Sequence, residues 1–240
     1  NPEVISVDKT GKLKVHTTKT ASAVITASYG PVVQNVTVTV ADGRFWYSLG
    51  NGLGNGLDNN WYLDGNNASV VSSDGNKTTV QMGSGYRGDL WLARSGKGKI
   101  VNVTPADYRY FAIKVGFKSQ LVPGKNKPNG CIKLEIFDDG IKKIGPEYFG
   151  TGGDANNRYE ILGASEISTT EPNVLYYDLQ SKYKTVTPTD WNQVFDLVQC
   201  KFVIADFPET AQTYDLYWIR SFKSIEELQA FVDSENNTNE

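Results

Sequence analysis

The chain has 240 residues with 24 basic and 27 acidic side chains, a net charge of −3, and its length suits one large domain or a large domain with a small module. The acidic balance argues against nucleic acid as a partner, because counterion release needs a basic face. No apolar run approaches the roughly 18 residues that a membrane-spanning helix requires. The sequence begins with Asn1 and has no apolar leader, so we expect a mature or trimmed segment.

The first 41 residues are predicted to form short strands. Four runs rich in β-branched residues are separated by turn signals at residues 8–11 and at Gly30-Pro31. The segments 1–4 and 11–13 and the closing Val-Thr-Val-Thr-Val run resemble the second half of a group 2 bacterial immunoglobulin-like domain. The resemblance implies a partial module over residues 1–41 with unpaired strand edges. We expect these edges to dock on the following domain or to be completed by a segment upstream.

A domain boundary is predicted at residues 41–43, where the composition shifts toward aromatic residues and asparagine. Beyond it, short strand-like runs alternate with loops rich in Gly, Asn, Asp and Pro, and no helices lie between them. This spacing predicts an all-β fold, a β-sandwich or jelly roll over residues 43–232, rather than a parallel sheet. The predicted strands lie at residues 45–49, 78–82, 90–93, 110–117, 131–137, 174–179, 197–204 and 214–219.

One short helix is predicted at the C-terminus. Ser224 and Glu227 have the spacing of a capping box, and the apolar residues Ile225, Leu228 and Phe231 share one helical face. The polar residues 233–240 that follow are predicted to form a flexible tail.

Several blocks of the large domain resemble one domain family of outer-surface lipoproteins in Bacteroidetes, in which immunoglobulin-like modules often come first. The blocks are residues 111–115, 175–179, 200–206 and the unusual Tyr-Trp-Ile-Arg-Ser-Phe-Lys-Ser segment ending at Ser224. The resemblance implies a carbohydrate-module-like β-sandwich at the cell surface, anchored to the outer membrane or secreted. It also implies a role in polysaccharide utilisation beside other glycan-uptake proteins. The biochemical role of the family is poorly defined, so no functional residue is carried over, and we expect a monomer.

Two cysteines are predicted to be free thiols. In the predicted strand 131–137, Ile132 and Leu134 lie on the apolar face, so Cys131 lies on the opposite face and points outward. Cys200 lies on the same strand face as Phe202 and therefore points inward. A disulfide requires two Cβ atoms that face each other, which opposite faces do not provide. Zinc is implausible in a chain with a single histidine.

Aromatic residues are the strongest functional signal, with 5 Trp, 13 Tyr and 10 Phe. An aromatic ring can stack under the apolar face of a sugar while polar side chains bond its hydroxyl rim. Three loops, at residues 58–64, 83–89 and 147–159, combine both kinds of residue, whereas Trp46 and Trp218 are interpreted as core. The predicted ligand-binding residues are Trp61, Tyr86, Arg87, Tyr148, Asp154 and Tyr159.

Catalytic and metal signals are weaker. The single histidine lies outside the large domain, so no Ser-His or Cys-His pair is available there. A two-carboxylate glycosidase needs only two suitably spaced acids, for which Glu147, Asp154, Glu160 and Glu166 are candidates. Asp58, Asn60 and Asp64 offer oxygen ligands for a structural calcium ion, and no other cofactor is expected. The sequence thus predicts non-catalytic binding of a polysaccharide or oligosaccharide, with a glycosidase or a purely structural or adhesive module as alternatives.

Overall fold

The structure, a computed structural model, forms two compact units, Asn1–Gly43 and Arg44–Glu240. The residues that the structure describes are 2–16, 21–40, 44–55, 59–64, 68–82, 87–94, 97–98, 101–103, 106–118, 131–138, 159–180, 195–205 and 213–237.

The first unit consists of two antiparallel hairpins. Strand β1 (Ile5–Val7) pairs with β2 (Leu13–Val15), and β3 (Ala21–Tyr29) pairs with β4 (Val32–Val40). This confirms the prediction of short strands, and the turn at Asp8 forms as its side chain accepts the backbone N–H of Thr10 and of Lys12. The buried core of this unit is small, comprising Val4, Ile5 and Ala23. The immunoglobulin-like assignment stays a prediction.

The second unit contains thirteen described strands and one helix. The strands of the first half are β5 (Trp46–Ser48), β6 (Tyr62–Asp64), β7 (Ser69–Ser73), β8 (Thr78–Gln81), β9 (Arg87–Arg94), β10 (Lys97–Gly98) and β11 (Val101–Val103). The elements of the second half are β12 (Tyr110–Phe117), β13 (Cys131–Asp138), β14 (Glu160–Ile161), β15 (Asn173–Asp178), β16 (Phe195–Ala205), β17 (Thr213–Phe222) and α1 (Ile225–Asn237).

These strands form two antiparallel sheets. In the seven-stranded sheet the order is β14-β15-β12-β17-β8-β7, with β5 also paired to β17. In the six-stranded sheet the order is β10-β9-β16-β11, with β13 on β16 and β6 on β9. One hydrophobic core draws buried residues from both sheets, among them Ile113 and Leu216 from the first and Leu90 and Phe202 from the second. The predicted all-β sandwich with one C-terminal helix is confirmed.

Helix α1 covers part of the outer face of the seven-stranded sheet. Leu228 is fully buried in a second cluster, which contains Ala112, Val174, Trp218 and Phe222. The N-terminus of the helix is capped, because Ser224 Oγ accepts the Glu227 N–H at 3.2 Å and the Glu227 carboxylate accepts the Lys223 N–H at 2.7 Å. Within the described part of the chain, no helix has the length and apolar character needed to cross a membrane.

Helix α1 continues beyond its predicted end, through residues 233–237, where the sequence predicts a flexible tail. Glu235 explains the extension, because its Oε2 accepts hydrogen bonds from Trp218 Nε1 at 3.0 Å and from Lys114 Nζ at 3.1 Å. Its Oε1 lies 3.6 Å from a guanidinium nitrogen of Arg220. Charge-assisted bonds of this kind hold the last turns of the helix on the sheet.

The strand register keeps the two cysteines apart. Cys131 pairs with Ala205, whereas Cys200 pairs with Ile136, five positions further along β13. At about 3.3 Å per residue this offset is about 16 Å, well beyond the Cα separation that a disulfide tolerates. Cys200 is a free, fully buried thiol in the sandwich core, as its phase predicted. The side chain of Cys131 lies outside the described residues.

We expect the Cys200 thiol to resist alkylation in the native protein, because burial raises its pKa and only the thiolate reacts readily. Native treatment with iodoacetamide, followed by peptide mass spectrometry, should leave the peptide that contains Cys200 unmodified. Denaturing the unreduced chain should then release two thiols per molecule. Fewer than two would contradict the free-thiol prediction.

Candidate functional site

The structure corrects the prediction for Trp61, which is a core residue and not an exposed ligand contact. Its side chain is 0% exposed and packs edge-to-face against Tyr47, with ring centroids 5.9 Å apart. The preceding Asn59 explains this placement, since its Oδ1 accepts the backbone N–H of Gly54 at 3.0 Å and of Trp61 at 3.1 Å. These bonds fold the glycine-rich loop back on itself and direct the indole into the sandwich.

The other predicted ligand residues are not gathered into one described site. Tyr159 is partly buried and packs against the sandwich core. Arg87 opens β9, but its side chain lies outside the described residues. The remaining three, Tyr86, Tyr148 and Asp154, also lie outside them.

The acidic and metal candidates are likewise separated. Glu160 and Glu166 are exposed, and Glu147 lies outside the described residues. Of the predicted calcium ligands, Asn60 is partly buried, Asp58 lies outside the described residues, and so does the side chain of Asp64. Among the residues that the structure describes, no group of three or more His, Cys, Asp or Glu side chains is placed to hold a metal ion. Calcium binding stays a prediction.

A different group of polar and aromatic side chains meets on the outer face of the seven-stranded sheet. We call it the Asp215 cluster, and it consists of Lys77, Thr79, Lys118, Asp215 and Tyr217. Its members come from the β7–β8 turn, from β8, from the end of β12 and from β17. The elements are adjacent in the sheet, because β17 pairs with β12 on one side and with β8 on the other.

A β-bulge places Tyr217 in this cluster. Val115 pairs with Leu216 and Lys114 with Trp218, so Tyr217 is one extra residue in β17. Leu216 points into the core, whereas Tyr217 and Trp218 both pack against the outer, helix-covered cluster. A bulge of this kind breaks the alternation of side chains and re-aims one of them.

Asp215 is the centre of the cluster. Its side chain is only 2% exposed, and its Oδ2 accepts hydrogen bonds from Lys77 Nζ at 2.8 Å and from Lys118 Nζ at 2.9 Å. Its Oδ1 accepts the Thr79 hydroxyl at 2.6 Å. Burial by itself would raise the pKa of this carboxyl, but the three hydrogen bonds outweigh burial and the pKa lies below its usual value.

Lys77 is positioned by the tight turn between β7 and β8. The Asp74 side chain accepts the backbone N–H of Asn76 at 3.0 Å and of Lys77 at 2.8 Å. Gly75 has a φ of +91° and donates its N–H to the Gly50 carbonyl at 3.0 Å. A Cβ on Gly50 would lie 2.3 Å from the Gly75 carbonyl oxygen, so glycine is required for the turn to approach this closely.

Gly116 is a buried residue of β12 beside the tyrosine ring. A Cβ at this position would lie 3.4 Å from Asp215 Cβ and 3.6 Å from Tyr217 Cε2, so the glycine is flanked by both side chains. A glycine within a strand often marks a place where a ligand approaches closely. Lys114 Nζ lies 5.6 Å from the centroid of the Tyr217 ring, within the range of cation–π attraction.

The hydroxyl of Tyr217 lies in the field of the charged groups around it. Burial raises its pKa above the usual value, and the net shift also reflects opposing effects of the lysines and carboxylates nearby. At neutral pH the phenol is therefore protonated and can both donate and accept a hydrogen bond. The cluster thus combines a partly buried ring with charged donors on the outer face of the sheet.

Sequence reasoning missed this cluster. Residues 214–219 were interpreted as an ordinary strand, and Asp215 and Lys77 lie in no recognisable motif. One available signal was the acidic residue inside the apolar run of β17, since a carboxylate there needs partners. The bulge itself has no marker in the sequence.

The fold and this cluster together define an all-β sandwich domain with a helix-backed sheet and a polar, aromatic patch on the outer face of that sheet. A family model described as a domain of unknown function, DUF4979, matches residues 52–228. Because the match covers most of the chain, the chain belongs to this family. A search of curated proteins finds no match.

Proposed function

We propose that the chain is a non-catalytic module that binds a polysaccharide or oligosaccharide, with the Asp215 cluster as its binding site. The observation that carries the proposal is the partly buried Tyr217 ring, which lies beside Gly116 and Lys114 and next to the hydrogen-bonding groups around Asp215. A pyranose ring presents an apolar C–H face and a rim of hydroxyl groups. Stacking on an aromatic ring with polar groups at its edge satisfies both parts of such a ligand.

The outer face of the sheet carries further tyrosine rings, which pack against the cluster under helix α1. Tyr110 on β12 and Tyr176 on β15 lie two and three strands away from β8, and their rings pack edge-to-face with centroids 6.2 Å apart. Both rings are partly buried, like that of Tyr217. A chain of sugars that crosses the strands could contact more than one of these rings, which suits a polysaccharide better than a small compact metabolite.

The state of Asp215 argues against this carboxyl as the general acid of a glycosidase. A general acid in a glycosidase needs a carboxyl group with a raised pKa, whereas hydrogen bonds lower the pKa of Asp215 below its usual value. All three partners of its carboxylate are donors that favour the charged form. Release of reducing sugar from a bound polysaccharide would favour the glycosidase alternative.

The cellular setting is also a proposal. The resemblance to domains of Bacteroidetes outer-surface lipoproteins supports a place at the cell surface, where the module would retain a polysaccharide for neighbouring uptake proteins. A structural or adhesive role without sugar binding is the remaining alternative. Failure of every soluble polysaccharide to retard the chain would favour it.

The proposal is tested with Tyr217→Ala in the full chain. We expect affinity for a retained polysaccharide to fall about 5- to 30-fold, which corresponds to the loss of a stacking contact worth about 1–2 kcal/mol. Affinity electrophoresis against a panel from neutral glucans and xylan to pectin and alginate measures the loss. The melting temperature is measured in parallel, because Tyr217 lies outside the sandwich core but packs against the outer cluster, and its truncation also removes that contact.

Two controls accompany this variant. Tyr217→Phe keeps the stacking surface and should retain most of the affinity. Tyr176→Ala removes a similar ring from the same sheet face and measures how far binding depends on tyrosines in general. The proposal fails if Tyr217→Ala binds every retained polysaccharide as tightly as the unaltered chain.

A further inference from the structure

Two ammonium groups of the Asp215 cluster share a single carboxylate oxygen. Lys77 Nζ lies 2.8 Å and Lys118 Nζ 2.9 Å from Asp215 Oδ2. Because both lie within hydrogen-bond distance of one atom, the two nitrogens are no more than about 6 Å apart. Two positive charges therefore face one negative charge at the contact itself.

The two lysine side chains are accessible to solvent, whereas the Asp215 carboxylate that accepts their hydrogen bonds is buried. The Asp215 side chain is 2% exposed, whereas the side chains of Lys77 and Lys118 are 30% and 54% exposed. Each ammonium carries three N–H donors, and Asp215 Oδ2 accepts one from each lysine. The remaining N–H donors of the two lysines are available on the solvent side. A ligand that approaches from solvent therefore contacts N–H groups and not the carboxylate.

The nearest additional carboxylates are engaged elsewhere. Asp74 accepts the backbone N–H groups of Asn76 and Lys77 in its own turn. On the other side of Tyr217, Lys114 is paired with Glu235 of the helix at 3.1 Å. The charge of Asp74 also acts on Lys77. Among the described residues, neither Asp74 nor Glu235 forms an ion pair with Lys118, so the positive charge of Lys118 is the less compensated of the two.

This lysine pair is next to the proposed stacking ring. A Cβ on Gly116 would touch both Asp215 and Tyr217, so the ring edge and the carboxylate that holds the lysines are separated by one small residue. A sugar stacked on the ring would extend its substituents over the ammonium groups. An anionic group with two or three oxygens can accept an N–H from each lysine.

We infer, on the basis of the proposed function, that the glycan bound here carries an anionic group, a uronate carboxylate or a sulfate ester, held between Lys77 and Lys118. The overall charge of −3 supplies no general attraction for polyanions. Retention of an acidic polysaccharide must therefore come from a local site such as this one.

The test compares matched neutral and acidic polymers by affinity electrophoresis of the full chain. The pairs are hydroxyethyl cellulose with carboxymethyl cellulose, and dextran with dextran sulfate, next to polygalacturonate and alginate. We expect the retained polymers to be acidic and Lys118→Met to weaken their binding about tenfold, as expected for a lost hydrogen bond between charged groups. Lys118→Arg should restore most of the binding.

Lys14→Met is the matched control, because it removes the same charge from an exposed strand position in the first unit and should leave binding unchanged. Asp215 keeps Lys77 and Thr79 as partners in Lys118→Met, so the melting temperature should be maintained. Reducing the carboxyl groups of a retained polymer, or removing its sulfates, identifies which anion is recognised, since only one treatment should abolish retention.

Three outcomes would overturn the inference in distinguishable ways. Binding of neutral polymers that depends on Tyr217 but not on Lys118 would refute the anionic ligand and leave the proposed function intact. Retention of no polymer in the panel would refute the proposed function itself. An equal loss of binding in Lys14→Met and Lys118→Met would show that total charge, and not this lysine pair, governs retention.

Discussion

Replacing Trp61 with alanine is expected to lower the free energy of unfolding by about 3–5 kcal/mol, the usual cost of truncating a buried tryptophan. The indole is 0% exposed in the sandwich core and packs against Tyr47, so its removal leaves a cavity that the surrounding strands cannot close. Chemical denaturation of the full chain, with midpoint and slope compared with those of the unaltered protein, measures the loss.

Trp61→Phe distinguishes the contribution of ring packing to stability from the contribution of the indole N–H. Among the residues that the structure describes, the buried indole Nε1 has no hydrogen-bond partner, and burying an unpaired donor costs stability. Phenylalanine removes that donor and keeps most of the packing, so we expect a loss of about 1–2 kcal/mol at most. An unchanged stability of Trp61→Ala combined with lost polysaccharide binding would restore Trp61 as a ligand contact.

Leu228→Ala is expected to cost about 2–5 kcal/mol. Leu228 is fully buried between helix α1 and the outer face of the seven-stranded sheet, against the cluster of Ala112, Val174, Trp218 and Phe222. Truncating it opens a cavity under the helix and exposes part of that apolar face to water. Denaturant unfolding followed by circular dichroism and by tryptophan fluorescence reports on the helix and on the sheet separately.

Gln229→Ala is the matched control for this variant, since Gln229 is exposed one position further along the same helix. We expect its effect to stay within about 0.5 kcal/mol, as is usual for surface substitutions. A similarly small effect of Leu228→Ala would mean that the helix does not contribute to the cooperative unit. Separate transitions for the two probes would lead to the same conclusion.

The strands of the sandwich could be predicted because the period of two is well kept where both sheets face the core. In β12, Phe111, Ile113, Val115 and Phe117 are all buried in the core between the sheets, as their alternation predicts. The helix was predictable from its capping residues and its apolar spacing. Its last turns were not, because Glu235 has partners far away in sequence on β12 and β17.

The position of aromatic residues was harder to predict. Trp61 was assigned to the surface because polar residues and glycines surround it, yet the hydrogen bonds of Asn59 turn that loop inward. Trp46 shows the opposite error, since it was interpreted as core but is 43% exposed. Its ring lies between the guanidinium groups of Arg44 and Arg220, whose central carbons are 4.0 and 4.4 Å from its centroid. The composition of the neighbouring sequence identifies neither the Asn59 hydrogen bonds nor the arginine contacts of Trp46.

The bulge in β17 has a consequence for how such a domain can gain or lose its site over evolution. Leu216 points inward and Trp218 outward, so deleting the codon for Tyr217 would join two segments that already alternate correctly. The pairing of Leu216 with Val115 and of Trp218 with Lys114 would become regular, and no core residue would change its side. Related domains with and without this ring can therefore differ by a single in-frame deletion and still share one core.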